Sequence, residues 1–342
     1  MKQFNRKVQR GFSLLEVFIA LSIGLVIFAG VLSIFVGMRT TTIETSSNGE
    51  LQENGRFAIS LLADDISKQD FWGDYIGPIT DTSMTYSPAL AIPGNDCIGA
   101  GVNNRTLPLG IGSFRTLWGQ TVSDTNPMGC FADAKIGSDI IQLKRALASE
   151  VVKADGTSLT STPAGNAPVG NYHIVTNASE GVMFGSGTVP TTIDEGRVWQ
   201  YQHHVYYVRN ETQGDNTIPV LMQGQLTTRM AFAPVIDGIE MIRFMYGYDA
   251  DTVPSAPGYG IVDAFIPAKD MTMDMWDNAG GTRIIAVKVY VLARSIRPDT
   301  KYTNTNTYQL GDLLFTPPAN DHYRRLLFSS TVTLYNARVD LW

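Results

Sequence analysis

The chain has 342 residues, room for one large domain or two ordinary ones, and its 44% apolar and 17% charged residues exclude a disordered chain. A formal net charge of -6 gives no positive excess for a nucleic-acid partner, and two cysteines exclude both a disulfide-framework miniprotein and a four-cysteine zinc site. The 32 glycines, with plentiful Thr, Asn and Ser, suit a loop-rich β domain better than a helical bundle.

The first element is a basic leader followed by an apolar helix. Lys2, Arg6, Lys7 and Arg10 carry the only charges of residues 1–10, and Glu16 carries the only charge between Phe12 and Gly37. A helix over 12–38 is long enough for the roughly 30 Å hydrocarbon core of a bilayer. The basic leader predicts a cytoplasmic N-terminus, with everything after Met38 across the membrane. The apolar run is too long for a secretory h-region and lacks a small-residue cleavage site at the expected place. A plain signal anchor fits the hydropathy equally well. Two details do not suit a plain anchor: Gly11 lies between leader and helix, and Glu16 lies inside the apolar run, where an ionised carboxylate costs up to about 3 kcal/mol near the bilayer centre.

The stretch GFSLLEV at 11–17 resembles the prepilin-peptidase site of type IV pilins and type II secretion pseudopilins. The resemblance implies cleavage between Gly11 and Phe12 on the cytoplasmic side, N-methylation of Phe12, and a Glu16 that stays in the membrane helix to pair with the Phe12 amine of a neighbouring subunit. Cleavage would remove four of the 26 basic side chains and none of the 32 acidic ones. A buried charge that needs a partner penalises wrong registers.

Beyond the apolar run, Leu51, Ala58, Leu62 and Ile66, with Phe57 and Leu61 beside them, fall at helical spacing and predict a stripe facing a globular domain. Gly49 and Gly55 weaken this helix by about 1 kcal/mol each. It is expected to end before Gly73, so the chain divides into a leader (1–11), a transmembrane half-helix (12–38), a periplasmic half-helix (39–72) and a head (73–342).

Residues 73–195 are rich in Gly, Pro, Ser, Thr, Asn and Asp and read as a variable insertion, with short apolar runs at 87–92, 113–119, 139–146 and 171–176 and a surface loop at 154–171. The C-terminal half patterns more clearly: strands are predicted at 197–210, 235–250, 282–295 and 322–339, with an excursion at 251–281. Their spacing argues an antiparallel sheet with one face on the helix. The segments HHVYYVR, IEMIRFMYGYD, RIIAVKVYVLARS and YRRLLFSSTVTLYNARV are similar to the PilW type of minor pilin, and to the GspJ minor pseudopilin of type II secretion. The resemblance implies an α+β, pilin-like fold: a long N-terminal transmembrane helix packed on an antiparallel β-sheet head.

Other chemistry is sparse. His203 and His204 are neighbours on a strand, so they point to opposite faces and do not readily share a metal; no metal or cofactor is expected. Asp249 and Asp251 alternate like calcium ligands but lack the rest of an EF-hand loop. Arg324 and Arg325 suit salt bridges better than a phosphate. Cys97 and Cys130, an even pair outside the cytoplasm, are expected to form a disulfide.

The resemblance implies a type IV pilus minor pilin without catalysis of its own. It would prime the filament at its tip with other minor pilins, promote assembly of the major pilin, and serve motility, adhesion or DNA uptake indirectly. Its partners would be those pilins, prepilin peptidase, the inner-membrane assembly platform, membrane lipid and a tip adhesin, with no direct contact to nucleic acid. It would reside in the inner membrane with a periplasmic head, then in the pilus. Glu16 argues against the capping subunit, whose type lacks that carboxylate. The alternatives are a GspJ-like pseudopilin and a membrane-anchored periplasmic enzyme or binding protein using residues 73–195.

Overall fold

The computed structural model describes residues 11–214 and 216–337. The leader's four basic residues and positions 338–339 of the last expected strand lie outside them. The chain divides into two units, residues 1–50 and 51–342. Helix α1 (Leu14–Ser67) supplies the regular structure of the first, and its last turns belong to the second.

The second unit is built on two main sheets. The larger has eight strands: β1 (Met84–Tyr86), β2 (Leu117–Thr121), β3 (Asp139–Glu150), β5 (His173–Thr176), β6 (Gly181–Phe184), β8 (Arg197–Gln213), β9 (Asn216–Leu226) and β10 (Met230–Asp237). Short β4 (Asn166–Ala167) and β7 (Gly187–Thr188) pair with each other. The smaller sheet runs β12 (Ala264–Pro267), β11 (Ile239–Asp249), β13 (Arg283–Arg294), β16 (Arg325–Thr333). A helical turn, α2 (Met273–Trp276), follows β12, and the hairpin β14 (Tyr308–Leu310) and β15 (Leu313–Phe315) precedes β16. Among the described residues, the named strands pair antiparallel except β1 with β6.

Residues 73–195 are integral to this head. β8 pairs with β5 through residues 197–200, with β3 through 199–206 and with β9 through 204–213. Of the four apolar runs in that segment, 139–146 and 171–176 carry strands, 113–119 carries only the start of β2, and 87–92 is irregular. The stretch 235–250 is two strands rather than one. It breaks at Gly238 (φ 80°), where the chain leaves the larger sheet for the smaller. A Cβ at Gly238 would meet the Arg294 carbonyl at 2.8 Å, so both φ and space demand glycine.

The sheets meet where β3 begins. Ser138 Oγ accepts from the Ile242 amide (3.1 Å), and Asp139 accepts from Arg243 Nη1 (2.8 Å), the Phe244 amide (2.9 Å) and Thr121 Oγ1 (2.7 Å). The main core gathers Leu62 and Ile66 of α1 with Ile141, Val205, Phe244 and Val289 of the strands.

Candidate functional site

The N-terminal segment comes first in the chain and carries most of the functional argument. Gly11, Phe12 and Ser13 are non-helical and exposed, and Phe12 is 86% exposed. Nothing lies near the place a Cβ on Gly11 would occupy. Ser13 and Glu16 then bond reciprocally. The Ser13 amide and hydroxyl donate to Glu16 Oε2 (3.0 and 3.1 Å), and the Glu16 amide donates to Ser13 Oγ (3.3 Å). This is a capping box, which satisfies helix N-terminal amides that would otherwise lack partners. Sequence reasoning missed it, although Ser-x-x-Glu ahead of an apolar run is its signature. The carboxylate is therefore engaged at the helix start and not stranded along the apolar face.

From Leu14 to Met38 every residue of α1 is exposed, Leu25, Phe28 and Phe35 among them. The helix is long and apolar enough to cross a membrane. An apolar surface this extensive is not stable against water; lipid or other helices must cover it.

The last turns of α1 face the strands of the second unit. Leu51, Ala58, Leu62 and Ile66 are buried as their spacing predicts, Leu61 is half-buried, and Phe57 is exposed, off the stripe. Gly55 has a packing reason: a Cβ there would collide with the Phe328 ring of β16. Asn54 Nδ2 donates to the Asp237 carbonyl (3.1 Å) and Gln69 Nε2 to Thr116 Oγ1 (2.5 Å). Asp65 is the polar centre. Arg145 Nε and Nη2 donate to its Oδ1 (3.0 and 2.8 Å), and Tyr206 Oη donates to its Oδ2 (2.8 Å), which also lies 2.6 Å from His204 Nδ1. Burial pushes this carboxyl upward, but His204 and Arg145 outweigh burial and hold it well below the usual carboxylate range.

The remaining candidates scatter. His203 and His204 do face opposite ways. His203 Nε2 lies 2.8 Å from Gln142 Nε2, an obligate donor, so Nδ1 carries the proton and donates to Thr106 Oγ1 (2.8 Å). The Thr106 hydroxyl donates onward to Asp96 Oδ1 (2.6 Å). Burial, the largest cause, pulls His203 well below its ordinary value. Asp249 accepts from the amides of Asp251 and Gly260 (2.9 and 2.8 Å), the work of a loop organiser. Arg324 pairs with Asp299, and Arg325 with Glu240 and Asp321. Cys97 and Cys130 are bonded, with Cα atoms 5.0 Å apart. Among the described residues, no three His, Cys, Asp or Glu side chains are grouped to hold a metal ion.

Comparison with known families gives two matches. Residues 205–336 match the family model of type IV pilus-assembly protein W, and residues 6–32 match the prokaryotic N-terminal methylation motif. No curated protein and no solved structure gives a significant match.

Proposed function

We propose that this PilW-type pilin, a minor subunit of the type IV pilus, acts at the start of the filament, where with other minor pilins it forms the complex onto which the major pilin assembles. In this reading prepilin peptidase cuts between Gly11 and Phe12 and methylates the new amine. The apolar part of α1 waits in the inner membrane with the head in the periplasm, then exchanges lipid for neighbouring helices as the assembly platform draws it into the filament. Motility, adhesion, a tip adhesin's display or DNA uptake follow from the filament and not from chemistry in the head.

The observation that carries the reading is the wholly exposed apolar surface of α1 opened by the Ser13–Glu16 box. Covering that surface is worth about 25 cal/mol for each Å² removed from contact with water, and both lipid and a bundle of like helices provide the cover. Neighbouring helices differ from lipid in offering a charge. A free amine on Phe12 lies one helical turn from Glu16, so the carboxylate of one subunit can leave its own cap for the amine of the next. That exchange trades two hydrogen bonds from Ser13 for a charged pair in low dielectric, and it favours one axial offset between subunits.

The test is deletion of the gene with complementation by the full chain, scoring surface pili and secretion of type II substrates in the same strains. Loss of pili with normal secretion is expected, together with cross-links from the head to other minor pilins. Normal pili with failed secretion would replace this reading by a secretion pseudopilus.

A further inference from the structure

Lys144, in the middle of β3, has none of its surface exposed. Its Nζ donates to Asn104 Oδ1 (2.9 Å) and to the Arg115 carbonyl oxygen (2.7 Å), and it stands 4.6 Å from the centre of the Phe114 ring. Both hydrogen-bond partners are neutral. Asn104 is 1% exposed, and its Nδ2 donates to the Ala100 carbonyl (3.1 Å). Gly99 leaves room for this amide: a Cβ there would collide with Asn104 Nδ2 and come within 2.8 Å of the Trp118 ring. An amine and a carboxamide thus face each other, both buried, beside the Phe114 and Trp118 rings.

The surroundings favour the uncharged amine. Burial drives Lys144 well below the usual ammonium range; Asp96 opposes this and the Arg115 guanidinium adds to it. A neutral lysine is a competent nucleophile, and fixing it against its acceptor removes the entropic barrier of a bimolecular reaction.

We propose that Lys144 and Asn104 are joined by an intramolecular isopeptide bond. A turn about the Cε–Nζ bond that keeps one N–H on the Arg115 carbonyl brings the lone pair to Asn104 Cγ. The Nζ–Cγ bond forms and the carbonyl electrons move to Oδ1. One proton passes from Nζ to Nδ2, the Cγ–Nδ2 bond breaks, and ammonia leaves. The product is a secondary amide, and nothing is oxidised or reduced. Arg115 Nη1 donates to the same Ala100 carbonyl that Asn104 Nδ2 uses (2.6 Å), which sets the guanidinium, itself paired with Asp277, on the side of the leaving nitrogen. Asp96, whose buried Oδ2 has no hydrogen-bond partner among the described residues, is the carboxylate whose charge acts on Lys144; it carries the proton from amine to leaving nitrogen. The bond would tie β3 to the segment between Cys97 and Leu107, beside the disulfide.

The test is the intact mass and tryptic map of the mature full chain, extracted in detergent and reduced. The expected mass falls short of the N-methylated linear chain beginning at Phe12 by one ammonia, and the map contains a branched peptide joining the Asn104 and Lys144 segments. Asn104→Ala and Lys144→Arg should each restore the linear mass. Asn104→Asp should keep the branch, now losing water instead of ammonia, and Asp96→Asn should leave a large unlinked fraction. A wild-type chain of full linear mass, with Lys144 and Asn104 in separate unmodified peptides, would overturn the proposal. The wild-type map decides even if a variant fails to accumulate.

Discussion

Arg145 places two nitrogens on one oxygen of Asp65, which leaves the other oxygen to His204 and Tyr206. One carboxylate on the last turns of α1 is thereby fixed by two different strands, β3 and β8. Asp65→Asn keeps the shape but leaves the buried Arg145 guanidinium without its counter-charge. The expected loss is about 3 kcal/mol of head stability, the usual cost of removing one partner of a buried pair. Chemical denaturation of the full chain in detergent measures it, and a loss under 1 kcal/mol would show that the charge is not what fixes the helix.

Acid should weaken the head in two windows. His203 is neutral when folded, with its proton affinity depressed from the ordinary 6.5. As pH falls below that value the unfolded chain gains a proton that the folded one refuses, so stability drops, by up to about 1.4 kcal/mol per pH unit for one such group. His173 is depressed by burial in the same sense. Asp65, depressed from 3.8, adds its loss only at lower pH. Melting temperature followed from pH 7 to pH 5 should fall, and His203→Gln should flatten part of that slope.

Reduction of Cys97–Cys130, separated by 33 positions, should lower the melting temperature. Closing a loop of that size is worth roughly 3–4 kcal/mol in the chain-entropy model. Thermal melts with and without reductant, beside Cys97→Ser/Cys130→Ser, check it; identical melts would mean that the bond constrains nothing the fold does not already hold.

Gly11→Leu should leave the leader attached, because the added side chain stands beside the proposed scissile bond. N-terminal sequencing of membrane-extracted protein is the measurement. Wild type is expected to begin at Phe12 and the variant at Met1. A wild-type chain beginning at Met1 would remove the processing step from the mechanism.

Glu16 has two separable duties, cap and charge. Glu16→Gln preserves an acceptor for Ser13 and deletes the charge, whereas Ser13→Ala does the reverse. If the carboxylate pairs with a neighbour's amine, Glu16→Gln should insert and mature normally yet be depleted from sheared pili several-fold, while Ser13→Ala costs only the cap, about 1 kcal/mol. Equal recovery of Glu16→Gln and wild type in the sheared fraction would confine Glu16 to capping.

What the sequence conveyed follows from how local each signal is. β8 and β13 announce themselves through β-branched and aromatic runs. β9 leaves no such signal because Pro219 and Gly224 interrupt it; Gly224 is there because a Cβ would crowd the Phe232 ring of β10. Residues 235–250 read as one strand because a change of sheet at Gly238 leaves no mark in hydropathy. Lys144, Arg145, His203 and His204 look like ordinary solvent-facing positions within apolar runs, yet all are buried. Their partners, Asn104, Asp65 and Thr106, are distant in sequence, and only the tertiary fold brings them together.

β3 has a protective consequence. It lies along β8 from residue 199 to 206, covering main-chain groups that would otherwise be open to any passing strand. A head trimmed of residues 73–195 would bare that edge and invite copies of itself to stick together sheet to sheet. The stretch that looks most dispensable in the sequence is therefore a guard against edge-to-edge association of heads.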